Sequence, residues 1–238
     1  MAVWLDGTER CRDNSGVIIE EAGGNERERF HRRYRPMDPR CPLCGAVQGP
    51  DMPSGNRELQ NTVLKQTNRF VVLPSVGPVL PGHVMVVSRE HLPSLASMGR
   101  EALAEYEALA CELAARAPFS TAGVLEAEHG PTEDEKAGAC VIHTHVHWIP
   151  SVAEHAQMFD GILEVLIEGE DIRDIASVNF PYIFVRGNLG KVRVYKGSGL
   201  PSQAIRRKLC EELGRDDIDW KQALRRNWIE QTVRYWEG

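Results

Sequence analysis

Three histidines at alternate positions, His143, His145 and His147, restrict the local structure of this chain more than any other feature. Successive side chains of a β-strand point to opposite faces, so the three imidazoles would share one face. The other face would carry four residues, three of them apolar: Ile142, Thr144, Val146 and Trp148. Each imidazole has two ring nitrogens that need partners when buried, so core packing does not explain three in register. A three-histidine metal site and a histidine nucleophile with supporting histidines both fit this spacing.

The segments that precede the histidine stretch combine strand and helix patterns. Two β-rich runs, 70–73 and 83–88, are separated by Gly and Pro residues and predict an antiparallel pair. Apolar residues at spacings of three and four predict a helix over 97–117, which ends before Pro118.

The pattern changes in the C-terminal part of the chain. Apolar and acidic positions alternate over 158–175, which we interpret as helical. The runs 182–186 and 191–196 predict two strands joined by a Gly-Asn-Leu-Gly turn. Two further helices are expected, one over 202–213 and one over about 220–236.

Composition excludes several classes of protein. The chain has 238 residues, of which 42% are hydrophobic, so it can bury a core and is not disordered throughout. Its net charge of −6 argues against general nucleic-acid binding, which requires an excess of Lys and Arg. The sequence contains neither an apolar run long enough for a membrane helix nor an apolar signal-peptide core near Met1, so we expect a cytoplasmic protein without membrane contacts.

Two of the six cysteines form a closely spaced pair, Cys41-Pro-Leu-Cys44. This C-x-x-C spacing is typical of half of a metal site. The alternative is two buried cysteines in a turn that contains proline.

The order of motifs along the chain resembles the histidine triad (HIT) family. The segments that carry the resemblance are LPGHVMVV at 80–87, REHLPSL at 89–95, EHG at 128–130 and HTHVHWIP at 143–150, with the long helix between the second and third. Thr144 stands where the family usually has an apolar residue, a change that a strand tolerates.

The resemblance covers about residues 41–150 and implies an α+β, HIT-like fold with a central antiparallel sheet and a long helix. We therefore divide the chain into an N-terminal arm (1–40), a HIT-like catalytic domain (41–152) and a C-terminal α/β extension of strands and helices (153–238).

The resemblance also implies chemistry at the α-phosphorus of a nucleotide. His145 would be the nucleophile, with its second ring nitrogen held by a backbone carbonyl of its own strand. His147 would bind phosphoryl oxygens and assist the leaving group. Transferase branches of the superfamily tend to have Gln at this third position and hydrolases tend to have His, so hydrolysis with release of a nucleoside monophosphate is expected.

Several members of the superfamily hold zinc with an N-terminal C-x-x-C, a His after the PGH strand and the first His of the signature. The matching residues here are Cys41, Cys44, His91 and His143. Two thiolates and two imidazoles suit a closed, structural Zn²⁺ site.

The residues expected to bind substrate are less closely defined. The family commonly has an Asn shortly before PGH, but this chain has Pro-Ser-Val-Gly at 74–77, so its ribose contacts must differ. The segment Lys191–Lys208 contains six basic residues and no acid, which suits either an anionic substrate or a solvated basic face. The candidates are His83, Ser88, Glu128, His129, Arg206 and Arg207.

Three other functions stay open at this stage. The first is a nucleotidyltransferase or phosphorylase that uses the same histidine. The second is a non-catalytic nucleotide-binding module, and the third is a three-His metallohydrolase. The resemblance further implies a homodimer formed through the long helix or a neighbouring strand, unless the extension covers that surface.

Overall fold

The computed structural model describes residues 38–47, 61–222 and 224–237. The predicted N-terminal arm lies outside these residues except for its last three positions. Within the described ranges, 3₁₀ helices lie at Leu95–Ser97, Ala153–Gln157 and Ile172–Ser177. The helices and strands are α1 (Pro42–Val47), β1 (Lys65–Gln66), β2 (Phe70–Pro74), β3 (Val84–Ser88), α2 (Arg100–Ala114), α3 (Phe119–Ala122), β4 (Val124–Gly130), β5 (His145–Pro150), β6 (Val165–Gly169), β7 (Tyr182–Gly187), β8 (Val192–Lys196), α4 (Ala204–Glu212) and α5 (Arg226–Glu237).

The eight strands of the described residues form one antiparallel sheet in the order β1-β2-β3-β5-β4-β7-β8-β6. The predicted hairpins 70–73 with 83–88 and 182–186 with 191–196 are confirmed as β2–β3 and β7–β8. Strand β5 lies between β3 and β4, with Met85 and Ala127 both opposite His147. The α+β fold class is therefore confirmed, and the extension continues the same sheet through the β4–β7 pair.

One face of the sheet packs on α2. The apolar residues of this helix recur at spacings of three and four and form one buried stripe, as expected for an amphipathic helix. The stripe meets the even-numbered side chains of β2, β3 and β5 in the largest apolar core of the described residues. Trp148 is fully buried here, and its indole N–H donates to the Tyr106 hydroxyl at 3.1 Å.

The opposite face of the sheet carries two apolar clusters, one on each side of the β5 histidines. Helix α1 packs on odd-numbered residues of β2 and β3, which include Val71, Leu73, Met85 and Val87. Helix α4 packs on β4, β7 and β8 through Ile205 and Leu209. The histidines of β5 project between these two apolar clusters, because β5 separates β3 from β4.

Two parts of the sequence interpretation are wrong. Residues 158–175 contain strand β6 at Val165–Gly169 and a 3₁₀ helix rather than one α-helix, because β6 pairs with β8 at the sheet edge. The final helix begins at Arg226, not near 220. No helix in the described part of the chain combines the length and apolar character needed to cross a bilayer.

Candidate active site

His145 is held by the backbone immediately before its strand. Its Nδ1 lies 2.6 Å from the carbonyl oxygen of His143, which can only accept a hydrogen bond. Nδ1 must therefore carry the proton, and in the neutral ring Nε2 keeps a free lone pair. The carbonyl contact expected of the nucleophile is present in this geometry.

His147 has the opposite proton arrangement, which two neighbouring groups determine. The Val79 N–H donates to Nδ1 of His83 at 3.0 Å, so the proton of neutral His83 is on Nε2. Nε2 of His83 lies 3.1 Å from Nδ1 of His147, which must accept its proton in a hydrogen bond. The proton of neutral His147 is therefore on Nε2, and His147 offers a donor where His145 offers a lone pair.

His129 lies on this face as well. Continuing the β4–β5 register beyond the Ala127–His147 pair places His129 across from His145. The N–H of Ile205, in the first turn of α4, donates to Nε2 of His129 at 3.2 Å. Neutral His129 therefore carries its proton on Nδ1. Because Ile205 belongs to the extension, the extension holds the orientation of this ring.

Burial keeps these imidazoles neutral. Desolvation lowers the pKa of His83 to about 3, assisted by the charge of Arg206. Desolvation also lowers the pKa of His129 to about 3, with a smaller effect of His145. The pKa of His147 falls well below its usual range for the same main reason, and that of His145 is also lowered. At neutral pH this cluster therefore consists of uncharged rings, each with one nitrogen that donates and one that accepts.

Cys41, Cys44, His91 and His143 form a second cluster beside the histidine face. Their four ligand atoms all lie within 4.8 Å of one another. The sulfur of Cys44 is 3.1 Å from Nδ1 of His91 and 3.5 Å from Nδ1 of His143, and the sulfur of Cys41 is also 3.5 Å from the latter. Tetrahedral Zn²⁺ with bonds of about 2.3 Å to sulfur and about 2.0–2.1 Å to nitrogen requires a sulfur–nitrogen separation of about 3.5 Å. These residues fit that ion.

The proton arrangement of His143 also suits a metal ligand. Its Nε2 lies 2.8 Å from the Ser88 carbonyl oxygen and must donate to it, so Nδ1 faces the sulfur atoms with a lone pair. Desolvation raises the pKa of the Cys44 thiol to about 11, so a cation is needed to hold its thiolate form at neutral pH.

The structure gives Ser88 and Glu128 positions that do not suit substrate binding. The Ser88 side chain is fully buried, and its hydroxyl donates to the Glu90 carbonyl at 2.7 Å. Glu128 lies on the α2 face of β4, where it accepts from the Leu95 N–H at 3.0 Å and from the Tyr182 hydroxyl at 2.5 Å. Consecutive residues of a strand point to opposite faces, so Glu128 must point away from the histidines when His129 points toward them. Desolvation raises the pKa of Glu128 to about 8.

The two arginines predicted to bind substrate differ in their surroundings. Arg206 is buried and donates to the carbonyl oxygens of Gly77, Asp217 and Ile218. Arg207 is exposed and donates to the Ser202 carbonyl. Most other basic side chains of the 191–208 segment pair with acids of the extension: Lys191 and Arg193 with Glu168, Lys196 with Glu164, and Lys208 with Glu212. The segment is therefore not an open cationic surface.

Sequence reasoning missed the contribution of Val79, Ile205 and Arg215 to this site. The first two act through backbone N–H groups, which carry no residue-type pattern. Arg215 donates to the Val79 carbonyl, a contact across the chain that composition does not indicate.

The model of the HIT domain family matches residues 56–154 of this chain. The chain contains a HIT domain. This domain includes β2–β5 and α2, and it contributes His83, His129 and the β5 histidines to the site.

Solved structures of HIT proteins show similarity over about half of the chain. A histidine triad protein from Clostridium difficile is 21% identical, covers 46% of this chain and 89% of its own, and has a TM-score of 0.37. A Zn-bound histidine triad family protein from Mycobacterium smegmatis is also 21% identical, covers 47% and 74%, and has a TM-score of 0.36. A HIT family hydrolase from Clostridium thermocellum is 19% identical, covers 48% and 92%, and has a TM-score of 0.33. Comparison with curated proteins gives no significant match.

Proposed function

We propose that this protein is a nucleotide hydrolase that cleaves at an α-phosphorus through a covalent nucleotidyl-His145 intermediate. The observation that supports the proposal is the complementary proton arrangement on β5. His145 presents a lone pair on Nε2, whereas His147 presents an N–H on Nε2. A nucleophile beside a phosphoryl-oxygen donor is what in-line attack on phosphorus requires.

In the first step Nε2 of His145 forms a bond to the α-phosphorus, and the bond from phosphorus to the leaving oxygen or nitrogen breaks with its electron pair. The Nδ1–H of His145 stays on the His143 carbonyl, which stabilises the positive charge of the phosphorylated ring. Neutral His147 donates a hydrogen bond to a phosphoryl oxygen or to the leaving atom. His129 offers a second donor from Nδ1 on the same face.

In the second step water attacks the same phosphorus. The P–N bond breaks, its electron pair returns to Nε2 of His145, and the water proton passes to solvent. The product is a nucleoside monophosphate. Neutral His147 donates a hydrogen bond but does not give up a proton at neutral pH. Leaving groups that depart as stable anions need no proton, whereas an amine must take one from another source.

We propose Zn²⁺ for the cluster of Cys41, Cys44, His91 and His143, where it would supply a structural cross-link. The cluster joins α1 to the residue whose carbonyl holds His145. The predicted three-His metal centre has less support, because Nδ1 of His143 faces the sulfur atoms while Nδ1 of His145 and of His147 is engaged elsewhere.

The homodimer implied by the resemblance stays a prediction. Strand β4 already pairs with β5 and β7, so neither of its edges is free for a second copy. A dimer would have to use another surface. The cytoplasmic location also stays a prediction.

The proposal is tested by release of nucleoside monophosphate from a panel of adenylylated and guanylylated compounds. The panel contains dinucleoside polyphosphates, phosphoramidates, acyl nucleotides and sugar nucleotides, assayed with the wild type and with His145→Ala. We expect release that falls by about 10³-fold or more in the variant. An acid-labile phosphoryl adduct on the wild type, absent from the variant, would identify the intermediate.

Other outcomes assign the alternatives. Turnover that requires added phosphate or a sugar phosphate would indicate a phosphorylase or a transferase. Nucleotide binding by equilibrium dialysis without turnover would indicate a binding module. Two zinc ions per chain, one of them lost in His145→Ala, would indicate a metallohydrolase.

A further inference from the structure

The loop that precedes β3 connects the extension to the site. We call residues Gly77–Gly82 the His83 loop, since they lead directly into His83. Within it the Val79 N–H donates to Nδ1 of His83 at 3.0 Å, and the Leu80 carbonyl accepts from the His83 N–H at 3.2 Å. The position of this loop therefore determines which nitrogen of His83 carries the proton, and through it the proton position of His147.

Three residues of the extension bind the His83 loop along its length. Arg206 Nη1 donates to the Gly77 carbonyl at 2.7 Å, and Arg215 Nη1 donates to the Val79 carbonyl. The Gly82 N–H donates to the Thr232 hydroxyl at 3.0 Å. These residues come from α4, from the segment after it and from α5, so three parts of the extension contact one short loop.

The contact is close as well as polar. A Cβ added to Gly77 would lie 2.5 Å from the Cβ of Trp220, inside the distance that real Cβ atoms keep. Trp220 of the extension therefore packs directly against the backbone of Gly77. Thr232 is fully buried, and its hydroxyl also donates to the Trp228 carbonyl at 2.7 Å, which fixes its direction.

Arg206 serves this contact and not the substrate. The Arg206 guanidinium donates to backbone carbonyls on both sides of the contact, the Arg215 guanidinium donates to the Val79 carbonyl, and the Asp217 carboxylate lies beside both. Asp217 accepts from Arg215 at 2.8 Å and, through its other oxygen, from Arg225 at 2.7 Å. The donors of Arg206 are engaged and its side chain is buried, so it holds the loop while its charge stays near the histidines.

We propose that Arg206, Arg215 and Thr232 are positioning residues, which fix the His83 loop and so keep the proton of His147 on Nε2. This inference rests on the proposed role of His147 as a donor to substrate. If the loop moves, the Val79 N–H no longer donates to Nδ1 of His83, and the tautomer of His83 with its proton on Nδ1 becomes populated. Its Nε2 then accepts from Nδ1 of His147, and Nε2 of His147 no longer has a proton to donate.

The test compares matched variants by ¹⁵N NMR of the histidine rings, which distinguishes protonated from unprotonated ring nitrogens. Thr232→Val keeps the shape of the side chain and removes the acceptor for the Gly82 N–H, whereas Thr232→Ser keeps the hydroxyl. Arg206→Met is compared with Lys208→Met, which removes a cation from the same helix without touching the loop. Gly77→Ala perturbs the contact from the loop side.

We expect wild type, Thr232→Ser and Lys208→Met to show His83 and His147 with the proton on Nε2. Thr232→Val, Arg206→Met and Gly77→Ala should each give His83 and His147 a second form with the proton on Nδ1. The same three variants should lower kcat roughly 10- to 100-fold and leave KM within about 2-fold. Folded variants in which both rings keep the proton on Nε2 would overturn the proposal.

The NMR readout needs no substrate. A shift of the ring protons in a protein that hydrolyses none of the panel would refute the proposed hydrolase and still support the positioning role. A loss of kcat with unchanged ring protons would refute the positioning role and still support the hydrolase. If one variant fails to fold by circular dichroism, the other two carry the comparison.

Discussion

Replacing Arg186 should destabilise the whole protein, because this residue forms a buried ionic link between the extension and the HIT domain. Arg186 lies on β7 and is fully buried, as is Glu126 on β4. Its guanidinium donates to Glu126 at 2.7 and 2.9 Å and to Glu107 of α2 at 2.7 and 3.0 Å. The Tyr106 hydroxyl also donates to Glu126, at 2.6 Å. The network therefore connects β7, β4 and α2.

The change Arg186→Met removes the cation and leaves the Glu126 carboxylate buried without it. Breaking a fully buried pair in this way costs about 3–5 kcal/mol. That is a large share of the roughly 5–15 kcal/mol by which a domain is stable. The free energy of unfolding is measured by urea titration, with tryptophan fluorescence and circular dichroism followed together. The control Arg173→Met breaks a pair with Asp171 that is about half exposed, and should cost no more than about 1 kcal/mol.

A second variant separates the buried charge from the lost contact. Adding Glu126→Leu to Arg186→Met removes the unpaired carboxylate, so the double variant should be less destabilised than the sum of the two single variants. A loss below about 1 kcal/mol for Arg186→Met, or two separate unfolding transitions in the wild type, would refute the view that extension and HIT domain share one cooperative core.

Three further predictions concern the metal cluster, a buried acid and the core. Cys44→Ser should lower the zinc content from about one ion per chain toward zero by atomic absorption. The accompanying loss of stability should be about 4 kcal/mol where zinc stands at a thousandfold its Kd. Burial raises the pKa of Glu128 to about 8, so the folded protein holds a proton that the unfolded chain releases near pH 4.5. The stability of the wild type relative to Glu128→Gln should therefore be greatest below pH 4.5 and fall toward pH 8, by at most about 1.4 kcal/mol per pH unit in urea titrations; a flat difference would contradict the raised pKa. Leu103→Ala, on the buried stripe of α2, should cost about 2–5 kcal/mol, and a cost near zero would contradict that packing.

Local periodicity was enough to predict much of the site. The alternation around His145 predicts its strand, and the spacing of Cys41 and Cys44 indicates a metal site because the ligands of each half are neighbours in sequence. The resemblance to the HIT family added His91 and His143, which the structure brings to within ligand distance of the two cysteines. Strand β5 itself begins at His145, so His143 lies just outside the regular ladder and is free to turn toward the sulfur atoms.

The face of a strand residue could not be read from composition. Glu128 and His129 are adjacent and both are polar, so the sequence alone predicts substrate binding equally for either residue. The register of β4 against β5 decides between them, because Ala127 opposite His147 puts His129 on the histidine face and Glu128 on the α2 face. Register depends on partners that are distant in sequence.

Contacts across the chain explain the remaining errors. Arg206 belongs to a basic segment, which suggests an anionic ligand, but its actual partners are carbonyls near residues 77 and 217. The short sequence pattern of β6 fits a helix as well as a strand, and its pairing with β8 at the sheet edge makes it a strand.

His145 is tied directly, and His147 through the His83 ring, to a backbone group that cannot change its hydrogen-bonding role. The His143 carbonyl can only accept, so it keeps the proton of neutral His145 on Nδ1 at any pH where the fold persists. The Val79 N–H can only donate, so it gives neutral His83, and through it neutral His147, the opposite proton position. A side-chain partner would titrate or rotate, whereas a backbone group does neither. The cost is that each backbone group must itself be held in place. The cluster of Cys41, Cys44, His91 and His143 is positioned to hold the first, and the extension is positioned to hold the second. This division explains why segments far apart in the sequence both converge on one strand.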